Sequence, residues 1–281
     1  MIRLVTASVA AGTVLALPLR APGGEAIAPR DFVRLFNGTN LSGLYTFLKD
    51  TRREDPRGVF SVTNGMIRVT GLGLGYLATT EEFKDFELTV EFKWGKAVGN
   101  WREGKARDSG IFLHATGPDG NSPDGDGAFM AAIECNLFQG ATGDILLIRG
   151  NDRDAKLIAP RITAFVSEER DSEGWAWCRS SGRRQTIERW GRLNWINKSR
   201  DWRDELDFRG ALDVEKPPGE WNQVKCVCEG DMIRIFVNGQ LVNMVRDVWP
   251  SSGRILLQCE GSEIFFRRFE VRPARRASET R

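Results

Sequence analysis

The chain has a single histidine, His114, in 281 residues. That scarcity excludes the histidine-rich zinc sites on which many hydrolases depend. Cysteine is equally uninformative as a ligand source. Cys135, Cys178, Cys226, Cys228 and Cys259 form no pair of metal-binding clusters, and Cys226-Val-Cys228 is a C-x-C, not a C-x-x-C. In an oxidising compartment one disulfide is open to them, and an odd count leaves at least one thiol free. Excess charge of one sign is also missing: 40 basic side chains face 38 acidic ones. The chain therefore offers no global field toward nucleic acid or an acidic membrane surface, and a neutral polyol is compatible with it. Long stretches of 3.6-residue periodicity are absent, which argues against a helical or parallel α/β fold.

Only the first residues carry a long apolar run. Arg3 precedes an uncharged segment from Leu4 to Leu19, and Arg20 and a Pro/Gly-containing stretch come next, with small residues at Gly24-Glu25-Ala26. This pattern predicts a signal peptide over residues 1–26 and an exported chain, periplasmic or extracellular. An uncleaved anchor is the alternative, although the run is shorter than the roughly 20 residues that span a bilayer. Without such an anchor, no stable membrane insertion is expected once the signal is cleaved.

The remainder of the chain is a succession of short strand-like runs separated by glycine turns. Val59–Val62 and Met66–Thr70 flank Asn64-Gly65, a strong hairpin signal. From Phe86 to Trp94 the chain alternates, with Phe86, Leu88, Val90, Phe92 and Trp94 on one face and Glu87, Thr89, Glu91 and Lys93 on the other. Ser109–Ala115, Met130–Phe138, Asp144–Ile148 and Arg161–Val166 continue the series. Trp221–Cys228, Met232–Val237, Leu241–Val245, Arg254–Cys259 and Glu263–Arg272 complete it, with Asn238-Gly239 as a second tight turn. The expected fold is all-β: one domain over 27–281, a sandwich of two antiparallel sheets of the jelly-roll kind. Residues 168–214 break the pattern. They hold Trp175, Trp177, Trp190, Trp195 and Trp202 among many arginines, interleaved with acids. A structureless loop of that length is improbable inside a compact domain, so an insertion covering one edge or mouth of the sandwich is expected.

Several residues stand out as chemistry. Glu134 lies mid-strand in Met130–Phe138, sharing a face with Met130, Ala132, Asn136 and Phe138. An acid in so apolar a strand is costly unless partnered, and burial raises its pKa toward that of a useful base. The bland alternative is a carboxylate satisfied by a neighbouring arginine. His114, at the end of Ile111–Leu113, titrates near working pH and is a candidate for binding substrate. Trp190 and Trp195 are candidate platforms under a sugar ring, although a core position is the commoner fate of a tryptophan. The loop carrying Asp119, Asn121, Asp124 and Asp126 has the look of a calcium loop. It lacks the terminal bidentate acid, with Met130 in that place, so a polar turn is favoured and no cofactor is expected.

Motifs spread over the whole chain resemble the DUF1080 family of 3-keto-glycoside hydrolases. Leu35-Phe-Asn-Gly-Thr-Asn-Leu-Ser-Gly43 is similar to its opening LFNGxxLxGW, with Leu44 in the tryptophan position. Gly58 to Ile67 resembles its first hairpin, and Leu77 to Leu88 its L-x-T…D-F-E-L segment. Asp108-Ser-Gly-Ile-Phe-Leu113 is similar to N-S-G-[IV]-F, and Ile133-Glu-Cys-Asn136 to E-V-Q. Gly219-Glu-Trp-Asn222 and Val237-Asn-Gly239 match closely, while Gln258 and Glu260 resemble L-Q-x-H, with Glu260 in place of histidine.

The resemblance implies a concanavalin-like sandwich whose concave sheet holds a sugar, and an activity on glycosides oxidised at C3. A 3-ketone acidifies the C2 proton, so a base can remove it, the C1 aglycone can leave, and water can add back. Such a route needs a base near neutral pKa, an acid for the leaving oxygen, and a donor or cation for the enolate. Glu134 and Glu260 are the expected catalytic groups. Asp108, His114, Asn136, Gln258, Trp190 and Trp195 are the expected substrate contacts. The alternative on the same fold is a non-catalytic carbohydrate-binding domain, whose mark would be a shallow tryptophan-lined groove without a perturbed carboxylate.

Overall fold

The computed structural model describes residues 25–274. The expected signal segment lies outside the described residues except for its last two. In chain order the strands are β1 (Val33–Arg34), β2 (Leu44–Leu48), β3 (Phe60–Thr63), β4 (Met66–Val69), β5 (Leu74–Thr79), β6 (Phe86–Val98) and β7 (Asp108–Thr116). Next come β8 (Ala131–Phe138), β9 (Ile145–Ile148), β10 (Gly150–Asn151), β11 (Leu157–Ile158), β12 (Arg161–Arg170) and β13 (Ala176–Cys178). The last are β14 (Arg183–Glu188), β15 (Gly191–Leu193), β16 (Asn222–Glu229), β17 (Met232–Val237), β18 (Gln240–Trp249), β19 (Arg254–Glu260) and β20 (Ser262–Pro273). Helix is confined, among the described residues, to one 3-10 turn at Asn100–Arg102. No helix among them is long and apolar enough to cross a membrane.

Two antiparallel sheets face each other. One has seven strands in the order β15-β9-β8-β7-β19-β5-β2. The other has eleven, ordered β13-β12-β18-β17-β16-β6-β20-β4-β3, with β1 on β20 and β14 on β12. Alternation decides what lies between them. Phe86, Leu88, Val90, Phe92 and Trp94 of β6 pack against Ile133, Cys135 and Leu137 of β8 and Ile255, Leu257 and Cys259 of β19 in one buried cluster. Each such side chain contributes about 1.5–3 kcal/mol by leaving water. That inventory fixes register, because a one-residue slip would turn every one of these groups outward. The hairpin turns are as the dipeptides require: Asn64 and Gly65 have φ of 49° and 74°, and Asn238 and Gly239 have 49° and 84°.

The tryptophan-rich insertion closes an edge of the sandwich. β13 and β14 both pair with β12 in the larger sheet, whereas β15 pairs with β9 in the smaller one. Its anchor is buried. Asp144, in the turn between β8 and β9, accepts hydrogen bonds from the Trp195 backbone N–H at 2.8 Å and from Lys198 Nζ at 2.8 Å. Lys198 Nζ also donates to Asn194 Oδ1 at 2.7 Å. Trp195 is therefore 1% exposed and part of the core, not a platform for a sugar. Its indole packs inward because Leu193 and Trp195 fall on the core side of the edge that β15 adds.

Candidate functional site

The outer face of the seven-stranded sheet carries two distinct neighbourhoods. Toward one end Phe47, Tyr76, Phe112, Phe129, Met130 and Leu256 form a second apolar cluster. The loop at 117–130 is fastened over it. Asp119 Oδ1 accepts from Tyr45 Oη at 2.8 Å and Tyr76 Oη at 3.0 Å, while Arg53 donates to its Oδ2 at 2.6 and 2.9 Å. Asn121 Oδ1 accepts from the Ala131 backbone, Asp124 pairs with Arg149, and Asp126 pairs with Lys49. The four residues with calcium-loop spacing thus each engage partners of their own, and no two share one. No three His, Cys, Asp or Glu side chains among the described residues are grouped as a metal ion would need.

At the other end the face is polar. Register places Arg192, Leu146, Glu134, Phe112, Leu256 and Ala78 in one cross-strand row. One row on, Asn136 stands opposite Gly110, and Gln258 opposite Tyr76. A further row sets Asp108 opposite Phe138 and Glu260 opposite Leu74. Five residues read from the sequence, on three adjacent strands, therefore share one face: Asp108 on β7, Glu134 and Asn136 on β8, Gln258 and Glu260 on β19.

The electrostatics of this group are unusual. Glu134 is 3% exposed, and its carboxyl has no hydrogen bond or ion pair among the described residues. Burial holds its pKa well above the usual carboxylate range, the charges of Glu260 and Asp108 push further, and Arg192 opposes them. Burial likewise lifts Glu260 to about 7, against the pull of Arg102, the Gln258 hydrogen bond and Arg192. Asp108 is raised by burial and then by Glu260, with Arg102 and Arg192 opposing. Gln258 Nε2 donates to Glu260 Oε2, and that leaves Gln258 Oε1 buried without a partner. Asn136 Oδ1 is buried and unpartnered too. Two orphan acceptors beside an unpaired acid leave hydrogen-bonding capacity that a hydroxyl-bearing ligand would fill.

The cations here were not legible in the sequence. Arg102, in the turn Asn100–Arg102, reaches Asp108 Oδ2 at 3.5 Å and donates to Asp204 Oδ1 at 2.7 Å, so the insertion holds it. Arg192 comes from β15 of the same insertion. Both guanidiniums lie over the Phe138 ring, at 5.0 and 5.7 Å from its centroid, and Trp202 tilts onto that ring at 4.7 Å. No local pattern marked these two among the many arginines, since only the pairing of β15 with β9 brings Arg192 to the row of Glu134.

His114 is not part of this group. Strict alternation from Phe112 would set it on the outer face, but it adopts φ 55° and the β7–β8 register breaks between Leu113 and Thr116. This bulge turns the imidazole between the sheets, edge-on to Phe86 at 5.8 Å. Its Nδ1–H donates to the Pro250 carbonyl at 2.8 Å, and burial lowers its pKa to about 4. A neutral core histidine cannot contact substrate. Trp190 is 53% exposed at the β14–β15 corner, where it stands edge-on to Trp175 at 5.2 Å, and among the described residues no side-chain hydrogen bond joins it to Glu134, Asp108 or Glu260.

Comparison with known proteins agrees with this architecture. A protein of Parabacteroides distasonis provisionally named a glycosyl hydrolase superposes with a TM-score of 0.50 at 15% identity, covering 86% of this chain and 94% of its own. A second from the same organism, named likewise, gives 0.49 at 19%, covering 86% and 99%. A carbohydrate-binding module from Bacillus subtilis gives 0.45 at 11%, covering 83% and 97%. At 15% identity the first of these likenesses speaks of fold alone. No curated protein sequence matches the chain. The profile of the 3-keto-alpha-glucoside-1,2-lyase-like domain, however, matches residues 31–272, and the chain belongs to that carbohydrate-active family.

Proposed function

We propose that this protein cleaves 3-keto-glycosides by proton abstraction at C2, elimination of the C1 aglycone, and hydration. The observation that carries the reading is Glu134: a buried carboxyl with no hydrogen bond or ion pair among the described residues, on one sheet face with two orphan amide oxygens. A structural acid would be paired, because leaving one buried and unpaired costs free energy that a fold otherwise avoids. Glu134 is the base that takes the C2 proton. Glu260, held near 7, is the acid for the departing oxygen, since a group half protonated at working pH both gives and retakes a proton. Arg192 opposes the charge of Glu134, Asp108 and Glu260 alike, which suits it to stabilise an enolate at the neighbouring carbon. Asn136 and Gln258 accept hydrogen bonds from ring hydroxyls. Export from the cytoplasm is part of the same proposal and rests on the N-terminal pattern alone.

The test is product analysis with a 3-keto-glucoside beside the unoxidised glucoside, for the wild type and Glu134→Gln. Release of aglycone from the ketone alone, lost in the variant, is the expected result. Cleavage of neither substrate, with sugar binding intact by titration calorimetry, would make the protein a binding domain and overturn the mechanism.

A further inference from the structure

Resting on that reading, we propose that Trp101 is the floor of an aglycone subsite, on which a ring carried by the departing oxygen stacks beside Glu260. The indole is 49% exposed, although it belongs to a turn packed against the end of the sandwich. Gly261 brings it there. This residue follows Glu260 directly, joins β19 to β20, and has φ 77°. A Cβ on it would stand 2.5 Å from Trp101 Cζ2, 2.7 Å from Trp101 Cε2 and 2.7 Å from Arg102 Cγ. With no side chain in the way, the indole rests on the backbone of the β19–β20 turn, one residue from the proposed acid.

Backbone contacts hold this platform. The Gly99 N–H donates to the Gly261 carbonyl at 2.6 Å, and the Arg102 N–H donates to the Gly99 carbonyl at 2.8 Å. Gly71 packs on the same junction, where a Cβ would meet Ser262 N at 2.7 Å and the Gly261 carbonyl carbon at 2.9 Å. Leu72, next in the chain and 57% exposed, sets a second apolar group at this end. Arg102 links the indole to the polar group. Its Cζ lies 5.8 Å from the Trp101 ring centroid and 5.0 Å from that of Phe138, and its Nη1 is 3.5 Å from Asp108 Oδ2. A surface fixed in this way needs little ordering when a ligand arrives, so more of the contact appears as affinity.

Position decides which part of the substrate meets the indole. The base Glu134 must touch C2 of the oxidised ring, and the acid Glu260 must touch the departing oxygen, so whatever that oxygen carries lies on the Glu260 side. Gly261 and Trp101 stand there. A pyranose or an aryl ring offers a flat apolar face that an indole covers well, whereas a methyl group leaves most of the indole in water. Trp202 also nears the site, but the Phe138 ring lies 4.7 Å from it and Lys198 Nζ 4.5 Å from its centroid, so its faces are already occupied. Trp101 keeps half of its surface for a ligand.

Three 3-keto-glucosides test this on the full chain, with methanol, a second glucose and phenol as aglycones. For each, kcat/KM of Trp101→Ala is divided by that of the wild type, so that leaving-group ability cancels. The methyl substrate should be cleaved as before, which also shows that the variant folds and keeps its chemistry. Release of glucose and of phenol should fall about tenfold or more, as expected for uncovering one indole face. Trp101→Phe should recover part of the loss, since a smaller aromatic face remains. A loss on one ring alone identifies which ring the subsite accepts. Equal losses on all three aglycones, or a loss on none, would overturn the subsite. If the wild type cleaves no ketone, the proposed function fails, and calorimetric titration with an unoxidised disaccharide and with methyl glucoside still decides the platform. Affinity that falls in Trp101→Ala for the disaccharide alone upholds it, and unchanged affinity for both sugars sinks it.

Discussion

Glu134 and Gln258 meet above Gly110. A Cβ on that glycine would stand 2.2 Å from Glu134 Oε1 and 2.9 Å from Gln258 Oε1. Both obstacles are the ends of side chains, so Gly110→Ala folds, at a cost on the order of 1 kcal/mol, by swinging the carboxyl and amide away. Displacing a base by about 1 Å can cost 10²-fold in rate. We expect kcat for 3-keto-glucoside to fall about 10²-fold in Gly110→Ala while Tm moves by only a few degrees. A variant with unchanged kcat would show that Glu134 does not act from this position.

The acids of the candidate site destabilise the fold once they ionise. Glu260 has a folded pKa of about 7, above its unfolded value. Between roughly pH 4.5 and 7 the folded state therefore binds more protons than the unfolded one, and stability falls as pH rises through that window. Glu260→Gln removes the penalty. Denaturant titration should find the variant more stable than wild type at pH 8, by up to about 3 kcal/mol, and indistinguishable near pH 4. A variant less stable at pH 8 would mean that the carboxylate is well paired after all.

His114 has the opposite sign. Burial depresses its pKa to about 4, so below about 6.5 the unfolded state gains a proton that the folded state refuses. Stability is lost as pH falls from about 6.5 to 4. Asn tolerates the left-handed backbone that His114 adopts at φ 55°. His114→Asn should thus lose some stability at pH 8, from packing against Phe86, and show a shallower decline toward acid. An unchanged acid slope would place the titration elsewhere.

The histidine also shows where sequence reading stops. Alternation identified the inward face of β6 and paired Glu134 with Asn136 on β8, because period two needs no knowledge of partners. It could not have placed His114, where one left-handed residue inverts the period. β13 and β15, three residues each, are too short for any period to show. Arg192 sits on one of them, and Arg102 in a turn, so the cations of the site became visible only once β15 was seen to pair with β9. Gln258 and Glu260 were found through the family motif, and their place on the same sheet face as Glu134 came from register.

Asp204, from the insertion, pushes the Asp108 carboxyl further up. Its Oδ1 accepts from Arg102 Nη2 at 2.7 Å and from the Ala106 N–H at 3.1 Å, drawing the guanidinium away from Asp108, 3.5 Å distant. Asp204→Asn keeps an oxygen for both donors but removes the countercharge. Arg102, 6% exposed, then has Asp108 as its nearest anionic partner. A stronger Arg102–Asp108 attraction favours the ionised form and lowers the pH at which the site surrenders its proton. The alkaline limb of kcat/KM should therefore shift to lower pH by about half a unit to one unit, with little change in the rate at its optimum. Both effects appear in one pH–rate profile. A uniform loss of rate without a shifted limb would show that Asp204 only holds the loop in place.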